Sequence, residues 1–359
     1  MKTNKIKIIM ILPHLKAGGA ERVVSFLFKK LDRSIFEPHL LVIGSQSEAH
    51  YFVKDGNVQY LNKKRLRLAL YDIVKIIRNI KPAIVFSSIG HINIYLGFLK
   101  IFFLKTKFVA REASVYSKMS LYNERKQLPF SLLKSCYQRL DALVYQSVDM
   151  KKDFQDTFKL KSSKGYLIHN PITFPPSMLK NPVETSTSSV KFLIVGSLVQ
   201  NKGHERVLNL FEKVKFDYTL EIIGEGPLRA KLENKVTKSK IKDKVIFRGI
   251  QKNMPQIYAE ADFLIQGSFV EGFPNVVLEA LSYGIPCIVF DSPGGHREMI
   301  KEGENGFFIY DETNAIDVLQ KAVSFQWQRG IIQKDVINRF GSSKILKQYE
   351  DMLKKVLLT

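Results

Sequence analysis

Two glutamates, Glu271 and Glu279, lie eight positions apart in the stretch "VEGFPNVVLEALSYGIP". The pattern predicts that Glu271 occupies a loop after a strand, and that Glu279 lies inside a helix that begins at Asn275. A carboxylate among the apolar neighbours of Glu279 needs polar partners. The first amides of such a helix attract an anion, and the residues that shape this turn are Gly272, Phe273, Pro274 and Asn275. The stretch therefore offers two acceptors for hydroxyl groups and an anion site between them.

A lysine and a glycine, Lys202 and Gly203, follow the strand-like run of "FLIVGSLVQNKGHERVL". A lysine just before a helix adds a positive charge to free backbone amides, and this combination suits a diphosphate. A solvent-exposed loop lysine is an equally good interpretation in so basic a chain. Both interpretations stay open from these residues alone.

Two further loops carry glycines after a predicted strand. Gly224 and Gly226 flank Glu225 in "IIGEGPLRAKL", and Gly18 and Gly19 stand before a helix in "LPHLKAGGAERVV". Ligands of open α/β sheets bind at the edge where such loops gather. The second loop lacks both the dinucleotide fingerprint and the Walker lysine, so a plain tight turn explains it equally well.

Strand-like runs alternate with amphipathic stretches along most of the chain, which is typical of parallel α/β layers. The predicted strands of the first half are "KIIMIL", "HLLVI", "AIVFSS", "KFVARE", "ALVYQS" and "GYLIHN", and those of the second half are "KFLIVGS", "YTLEIIG", "KVIFRG", "DFLIQGS" and "PCIVFD". A chain of 359 residues exceeds the usual size of one hydrophobic core. Four prolines and a Ser/Thr cluster within residues 170–189 indicate a linker. We therefore expect domains over residues 1–175 and 191–340, a linker over 176–190, and a C-terminal helix over 341–359 that packs back on the first domain.

Taken together, these motifs resemble the retaining glycosyltransferases of the GT-B fold, which include bacterial enzymes that build lipid-linked glycans. The resemblance covers nearly the whole chain and depends on two glutamates separated by seven residues, with "GFPNVVLEALSYGIPCI", "VGSLVQNKG", "GEGP", "GGAE" and "IHNP". It implies two Rossmann-like parallel-sheet domains that face each other across a cleft. It also implies transfer of a sugar from a nucleotide-diphosphate donor, a UDP-sugar before a GDP-sugar, without a metal or a cofactor.

The resemblance also implies roles for individual residues. Glu279 holds the ribose, Glu271 holds the donor sugar, and Lys202 meets the diphosphate. Glu271, Lys202 and His91 are the expected catalytic residues. The other expected donor contacts are Gly18, Gly19, Glu225, Gly226, Arg248, Gly272, Phe273, Pro274 and Asn275. The expected acceptor-side residues are Asn93, Arg111 and Glu112.

Two positions depart from the family pattern. Ser197 stands where the family often has an arginine that helps to charge the diphosphate site, and Arg248 or Arg297 are the candidates to replace it. A second histidine of the family is replaced in "AREAS", where Arg111 and Glu112 remain as polar side chains expected to face the cleft.

The expected mechanism needs no protein nucleophile. The leaving diphosphate accepts the proton of the acceptor hydroxyl, which attacks the same face of an oxocarbenium-like sugar. The protein then contributes positioning and charge stabilisation.

The net charge of +21 is unevenly distributed. Residues 1–180 contain 31 basic and 12 acidic residues, or +19, whereas residues 181–359 contain 24 and 22, or +2. Such asymmetry indicates an acidic partner of the first half, either nucleic acid or an anionic membrane surface. Charge kept for solubility is the alternative, although it explains a high total better than a segregation between the halves. The basic amphipathic stretch "RLRLALYDIVKIIRNIKP" suits a bilayer interface, although an ordinary helix covering a sheet also has this pattern.

We expect a cytoplasmic protein on the inner face of a bacterial membrane, acting on a lipid-linked glycan in cell-surface polysaccharide synthesis. No membrane span is expected, because no segment reaches about 20 apolar residues, and the apolar stretch of residues 94–108 is broken by three lysines. Cys136 and Cys287 are expected to be buried thiols. The rival functions are a nucleic-acid binder, for which no recognisable module is present, and a non-catalytic module that binds sugar nucleotides.

Overall fold

The computed structural model describes residues 5–16, 18–49, 56–122, 128–173 and 189–359. The chain divides into two compact units. The first comprises Met1–Ser117, Glu124–Thr173 and Ser342–Thr359, and the second comprises Lys118–Asn123 and Phe174–Gly341. The predicted linker, residues 176–190, lies almost entirely outside the described residues.

The first unit is built on a parallel sheet. Its strands are β1 (Ile6–Leu12), β2 (Phe36–Val42), β3 (Val58–Tyr60), β4 (Ile84–Ser87), β5 (Lys107–Arg111), β6 (Ala142–Tyr145) and β7 (Gly165–Leu167). The helices up to β7 are α1 (Gly19–Lys30), α2 (Leu66–Ile80), α3 (Gly90–Leu99), α4 (Tyr116–Met119), α5 (Phe130–Arg139) and α6 (Val148–Phe158). The strand order is β3-β2-β1-β4-β5-β6-β7.

Alternate residues of β1 serve the two faces of this sheet, as the two-residue period of a strand requires. Ile8 and Met10 pack in one core with α1 and with Tyr349 of the C-terminal helix α14 (Ser342–Leu357). Ile9 lies with Ile76 of α2 on the other face. The last helix of the chain therefore completes the core of the first unit.

The second unit has a six-stranded parallel sheet of the same design. Its strands are β8 (Val190–Val195), β9 (Tyr218–Ile223), β10 (Val245–Gly249), β11 (Phe263–Gln266), β12 (Cys287–Phe290) and β13 (Gly306–Ile309). Its helices are α7 (His204–Phe211), α8 (Arg229–Thr237), α9 (Met254–Glu260), α10 (Asn275–Ser282), α11 (His296–Met299), α12 (Ala315–Ser324) and α13 (Arg329–Phe340). The strand order is β10-β9-β8-β11-β12-β13.

The strand order reverses once in each sheet, between β1 and β4 in the first unit and between β8 and β11 in the second. Neighbouring crossovers run in opposite directions from this point, so the loops at the carboxyl ends diverge and leave a crevice where ligands bind. The loop after β8 contains Lys202 and the loop after β11 contains Glu271. The fold therefore places both residues at the switch point of the second sheet.

The predicted parallel α/β architecture is confirmed, and most strands lie where the sequence pattern indicated. Two edge strands, β3 and β13, were not predicted.

The two thiols, Cys136 and Cys287, are both buried, as expected. Within the described ranges, none of the helices has the length and apolar character that crossing a bilayer requires.

Candidate functional site

The loops after β8 and β11 touch backbone to backbone at two glycines. Gly203 has a φ of +62°, and a Cβ atom built there would lie 1.8 Å from the carbonyl oxygen of Gly267. In the other direction, a Cβ atom at Gly267 would lie 2.6 Å from Cγ2 of Val207. Because neither position has room for a side chain, the two glycines let the loops meet.

Three donors converge on one carboxylate oxygen, Oε1 of Glu271. Lys202 Nζ lies 2.6 Å from it, Ser268 Oγ donates at 2.6 Å, and Gln266 Nε2 donates at 2.9 Å. Oε2 of Glu271 accepts no hydrogen bond from the described part of the chain. The carboxylate is thus held firmly by one oxygen and has acceptor capacity on the other.

Burial and charge act in opposite directions on Glu271. Burial pulls the pKa of this carboxyl upward, but the charge of Lys202 and hydrogen bonds from Lys202 and Ser268 outweigh it and hold the pKa below its ordinary value. Glu271 is therefore an ionised acceptor at neutral pH. Its side chain is only 9% exposed, whereas that of Lys202 is 27% exposed.

Glu279, in the second turn of α10, is buried at 7% exposure. The hydroxyl of Tyr258 on α9 donates to Glu279 Oε2 at 2.9 Å, and the Tyr258 ring stacks on Tyr283 with centroids 5.3 Å apart. One polar partner of this carboxylate is thus a tyrosine from a preceding helix.

Helix α10 begins at Asn275, as predicted, after Pro274 at the N-cap. The N–H groups of Val277 and Leu278 both donate to the carbonyl of Pro274, so an anion at the start of this helix must be met by earlier amides. Phe273 is 5% exposed, and its ring lies edge-on to Phe340 at 5.3 Å. Burial in this turn gives Phe273 a packing role.

The loop after β9 is also built on close backbone contacts. A Cβ atom at Gly226 would lie 2.5 Å from the carbonyl oxygen of Leu198, and one at Gly224 would lie 1.9 Å from that of Gly196. Glu225 is partly exposed and forms an ion pair with Arg229, one turn further on. The "GEGP" motif therefore packs the β9 loop against the β8 loop at the edge of the switch point.

The structure does not bring the proposed substitutes for the missing arginine to Lys202 and Glu271. Arg248, on the edge strand β10, donates from Nε and Nη2 to the two carboxylate oxygens of Glu221 at 2.7 Å each. Arg297 forms a similar bidentate pair with Asp291, at 2.9 and 2.5 Å. Ser197 is exposed. A donor contact by Arg248 stays a prediction.

A different arginine, Arg206 on α7, lies at the switch point and was missed from the sequence. It donates to the carbonyls of Gly267 and Ser268 at 2.6 and 2.5 Å. Its guanidinium lies between the rings of Phe269 and Phe290, 4.1 and 4.0 Å from their centroids. Burial lowers the pKa of this arginine to about 10, so it stays charged. Its position in the first turn of a helix that starts just after Lys202 was the available signal.

In the first unit, the predicted residues lie at the carboxyl ends of β1 and β4. Gly18 is the N-cap of α1, and a Cβ atom there would lie 2.2 Å from a carboxylate oxygen of Glu21. Gly19 starts that helix. His91 is exposed in the first turn of α3. Roles for these residues toward a ligand stay predictions.

The expected acceptor-side residues, in contrast, form an internal network. Asn93 Nδ2 donates to Glu112 Oε1 at 2.8 Å and to the backbone carbonyl of Arg111 at 2.9 Å. Arg111 is 2% exposed and Glu112 is 6% exposed. The Arg111 guanidinium donates to the side chains of Ser88, Asn170 and Tyr349, at 2.6, 2.5 and 3.2 Å respectively.

This network ties the carboxyl ends of β4 and β5 to α14, so we assign Arg111 a structural role where these strands end. Burial raises the pKa of Glu112 to about 7, although hydrogen bonds from Asn93 and Tyr137 and the charge of Arg111 act against it. Glu112 can therefore gain or lose its charge near neutral pH.

Within the ranges that the structure describes, no three His, Cys, Asp or Glu side chains are grouped as metal ligands would be.

Comparison with known proteins yields a family match for the second half of the chain. Residues 179–326 match the family described as "Glycosyl transferases group 1". A relative from Campylobacter jejuni, N-acetylgalactosamine-N,N'-diacetylbacillosaminyl-diphospho-undecaprenol 4-alpha-N-acetylgalactosaminyltransferase, is 25% identical over 350 residues. The alignment covers 94% of this chain and 93% of that protein.

Two solved structures share the fold over nearly the full length. One is the apo form of the lipopolysaccharide outer core galactosyltransferase WaaB, with a TM-score of 0.78 and 21% identity over 97% of this chain and 99% of that chain. The other is Anabaena Alr3699/HepE in complex with UDP-glucose, with a TM-score of 0.80 and 16% identity, also over 97% and 99%. These similarities show that the two parallel-sheet units form a GT-B fold.

Proposed function

Since this chain has a GT-B fold and residues 179–326 form a glycosyl transferases group 1 domain, we propose that it is a retaining glycosyltransferase with a nucleotide-sugar donor and a membrane-associated, lipid-linked glycan acceptor. A UDP-sugar is the favoured donor, because Anabaena Alr3699/HepE, which shares this fold, was solved with UDP-glucose. The relative from Campylobacter jejuni, whose name contains a diphospho-undecaprenol, supports the acceptor class. The transferred sugar is a hexose or an N-acetylhexosamine.

The observation that carries the donor site is the arrangement of two buried carboxylates around the start of α10. Glu271 lies before this helix and Glu279 lies in its second turn, each held by side chains from other elements. A carboxylate accepts hydrogen bonds from hydroxyl groups, which ribose and a hexose both present. We assign Glu279 to the ribose, Glu271 to the donor sugar, and the start of α10 to the phosphates between them.

Lys202 has the position and charge to stabilise the leaving nucleotide diphosphate. Its ammonium group lies at the β8–β11 switch point, and the Lys202 side chain is still 27% exposed while it contacts Glu271. As the bond between the sugar C1 and the diphosphate oxygen breaks, negative charge develops on that oxygen, and a preorganised cation stabilises it. The oxygen then takes the proton of the acceptor hydroxyl, whose oxygen forms the new bond to C1.

No residue of the chain is required as a nucleophile in this mechanism. Glu271 is held by Lys202, Ser268 and Gln266 and acts on a sugar hydroxyl. His91 and Gly19 of the first unit are proposed to contact the donor, as the resemblance implies. The protein contributes orientation of the two substrates and stabilisation of charge.

The membrane-facing part of the proposal rests on α2. Three exposed cations, Arg67, Lys75 and Arg78, recur along one side of α2, a helix about 22 Å long, and Lys64 is exposed just before the helix begins. None of them pairs with a carboxylate in the described part of the chain. We call these four residues the basic stripe.

Two apolar side chains lie beside the basic stripe and face solvent. Leu68 is 55% exposed and Tyr71 is 76% exposed. A helix that combines exposed cations with exposed Leu and Tyr suits the surface of a bilayer with anionic lipids, where each cation contributes about 1 kcal/mol. We therefore propose that the first unit contacts the membrane through α2, and that the protein is peripheral on the inner face.

A screen of nucleotide sugars tests the donor assignment. Thermal melting with UDP-sugars, GDP-sugars and the free nucleotides should show stabilisation by one nucleotide class, because a ligand that binds the folded state raises the melting temperature. Transfer from the selected donor to a polyprenyl-diphosphate-linked glycan, with the anomeric configuration of the product read by NMR, then tests catalysis and retention. Binding without transfer to any such acceptor would indicate a non-catalytic module.

A further inference from the structure

Gln266 ends the otherwise apolar strand β11 and is buried, at 5% exposure. Its Nε2 donates to Glu271 Oε1 at 2.9 Å, and its Oε1 lies 2.8 Å from Nε2 of His296. His296 is fully buried at the start of α11, and its Nδ1 lies 3.2 Å from Ser292 Oγ. A line of hydrogen-bonding groups thus runs from Ser292 to the Glu271 carboxylate.

The direction of every hydrogen bond in this line follows from its last member. The ionised Glu271 only accepts, so Gln266 must present its NH2 group to it. The amide oxygen of Gln266 then faces His296, whose Nε2 must carry the proton. His296 Nδ1 is left as an acceptor, so the Ser292 hydroxyl donates to it. The carboxylate therefore selects one amide orientation and one histidine tautomer.

His296 stays neutral in this position. Burial lowers its pKa to about 4, and the neighbouring carboxylate of Glu271 only partly offsets this effect. Neutral His296 can hold the single tautomer that the line requires across the physiological pH range.

Two glycines press the loop that carries His296 against the loop that carries Glu271. Gly294 has a φ of +131°, and a Cβ atom there would lie 2.2 Å from the carbonyl oxygen of Glu271. The N–H of Gly295 donates to the carbonyl of Gly272 at 2.8 Å. Backbone contacts therefore fix the distance between His296 and the carboxylate that it serves through Gln266.

We propose that Gln266 and His296 are positioning residues that lock Oε1 of Glu271 and so leave Oε2 to receive a hydroxyl of the donor sugar. Three donors occupy Oε1, whereas no donor of the described residues reaches Oε2. Lys202 can move toward a diphosphate when the donor binds, and the neutral pair Gln266–His296 then keeps the carboxylate in place. The inference rests on the proposed function in that Glu271 contacts the donor sugar.

Variants separate this role from simple packing. Gln266→Met keeps the side-chain length without hydrogen bonds, His296→Leu removes the group that orients Gln266, and His296→Gln keeps an N–H donor near Nε2. The readouts are kcat for sugar transfer and the ratio of the dissociation constants for UDP and for the best-bound of UDP-glucose, UDP-galactose, UDP-GlcNAc and UDP-GalNAc.

We expect Gln266→Met and His296→Leu to lower kcat at least tenfold and to reduce the preference for the UDP-sugar over UDP at least fivefold. Affinity for UDP itself should change less than twofold, because Glu279 is untouched. His296→Gln should retain kcat within about threefold of the unmodified protein. Unchanged kcat and unchanged preference in both Gln266→Met and His296→Leu would overturn the proposal.

A measurement on the unmodified protein is independent of how the variants fold. With 15N-labelled histidine, the ring nitrogens of His296 should report the Nε2–H tautomer and no protonation between pH 6 and 8. The Nδ1–H tautomer, or titration of His296 in this range, would overturn the proposal. Glu271→Gln separates the contact of Glu271 with the sugar from the positioning role of Gln266 and His296. If Glu271→Gln abolishes the preference for the UDP-sugar while Gln266→Met does not, only the positioning role is wrong. If Glu271→Gln has no effect, the proposed contact between Glu271 and the sugar is wrong, and the positioning role of Gln266 and His296 is wrong with it.

Discussion

Lys202 and Glu271 form an ion pair of 2.6 Å that joins the loops after β8 and β11, the two strands at which the sheet order of the second unit reverses. The side chain of Glu271 is 9% exposed and that of Lys202 is 27% exposed, so most of the pair is withdrawn from solvent. Removing one partner from such a pair leaves an unpaired charge in a poorly solvated place, and this costs more than the pair itself is worth.

The ion pair predicts a specific pattern of stabilities. Lys202→Met should lower the free energy of unfolding by about 1–3 kcal/mol, because the Glu271 carboxylate stays buried without its cation. Adding Glu271→Gln should restore part of this loss, since the unpaired charge is gone. Urea denaturation of the single and double variants measures the coupling. Losses that simply add would show that the two side chains do not stabilise each other, and sugar transfer should be lost in all three variants.

Tyr258 is predicted to act on nucleotide affinity through Glu279. Tyr258→Phe removes the hydroxyl that donates to Glu279 Oε2 at 2.9 Å, and we expect UDP to bind about 3- to 10-fold more weakly. The matched control is Tyr218→Phe, which removes a buried hydroxyl that donates at 2.8 Å to the backbone carbonyl of Phe211. Calorimetric titration with UDP should show weaker binding for Tyr258→Phe only. Equal affinities in the two variants would contradict the prediction.

Gly203 is predicted to be irreplaceable for steric reasons. Gly203→Ala places a methyl group 1.8 Å from the Gly267 carbonyl oxygen, at a φ of +62° that costs a further 1 kcal/mol or so. We expect a loss of several kcal/mol or failure to fold. Gly330→Ala is the control, because no atom lies within 4 Å of its Cβ position and helix α13 should gain about 0.5–1 kcal/mol. Thermal melting of both variants checks the contrast, and equal melting temperatures would refute it.

Glu112 is predicted to make the first unit less stable at alkaline pH. Its pKa is about 7 in the folded chain against an ordinary value of 4.5, so the folded state binds the extra proton between these values. Its contribution is fully present below pH 4.5 and is lost as the pH rises through 7. Glu112→Gln mimics the protonated form and should raise stability at pH 8 by up to about 3 kcal/mol, but not at pH 4.5. Melting curves at the two pH values test this, and an equal shift at both would contradict it.

The basic stripe of α2 is predicted to bind anionic membranes. Arg67→Glu with Lys75→Glu should lower binding to phosphatidylglycerol vesicles at least tenfold. The control, Lys29→Glu with Lys30→Glu on α1, changes the net charge equally on the opposite face of the sheet. Flotation with vesicles of phosphatidylglycerol and of phosphatidylcholine measures the difference. Equal loss of binding in both double variants would show that net charge alone causes the effect. Equal binding to phosphatidylglycerol and phosphatidylcholine vesicles would refute the membrane contact.

Sequence periodicity predicted the parallel α/β fold because buried parallel strands are continuous apolar runs between helical patterns. The two strands that it missed, β3 and β13, are short edge strands next to loops, where the pattern is weak. The start of α10 at Asn275 followed from the proline and asparagine of the turn. The residue types of this turn were therefore enough to predict that Glu271 lies in the loop before α10 and that Glu279 lies inside the helix.

The partners of those glutamates could not be predicted, because they come from distant positions. Tyr258 precedes Glu279 by 21 residues, and His296 follows Gln266 by 30. The sheet order, which local patterns do not reveal, brings these elements together. Two signals were available in hindsight: Gln266 is a lone polar residue at the end of an apolar strand, and His296 follows two glycines at the start of a helix.

Titration of UDP and of the best-bound UDP-sugar into the unmodified protein, Glu271→Gln and Glu279→Ala tests the central claim most directly. We expect Glu279→Ala to lose affinity for both ligands, and Glu271→Gln to bind UDP still and to lose only the additional affinity for the sugar. Melting temperatures confirm that each variant is folded. Unchanged affinity of folded Glu279→Ala for UDP would contradict the assignment of this site to a nucleotide sugar.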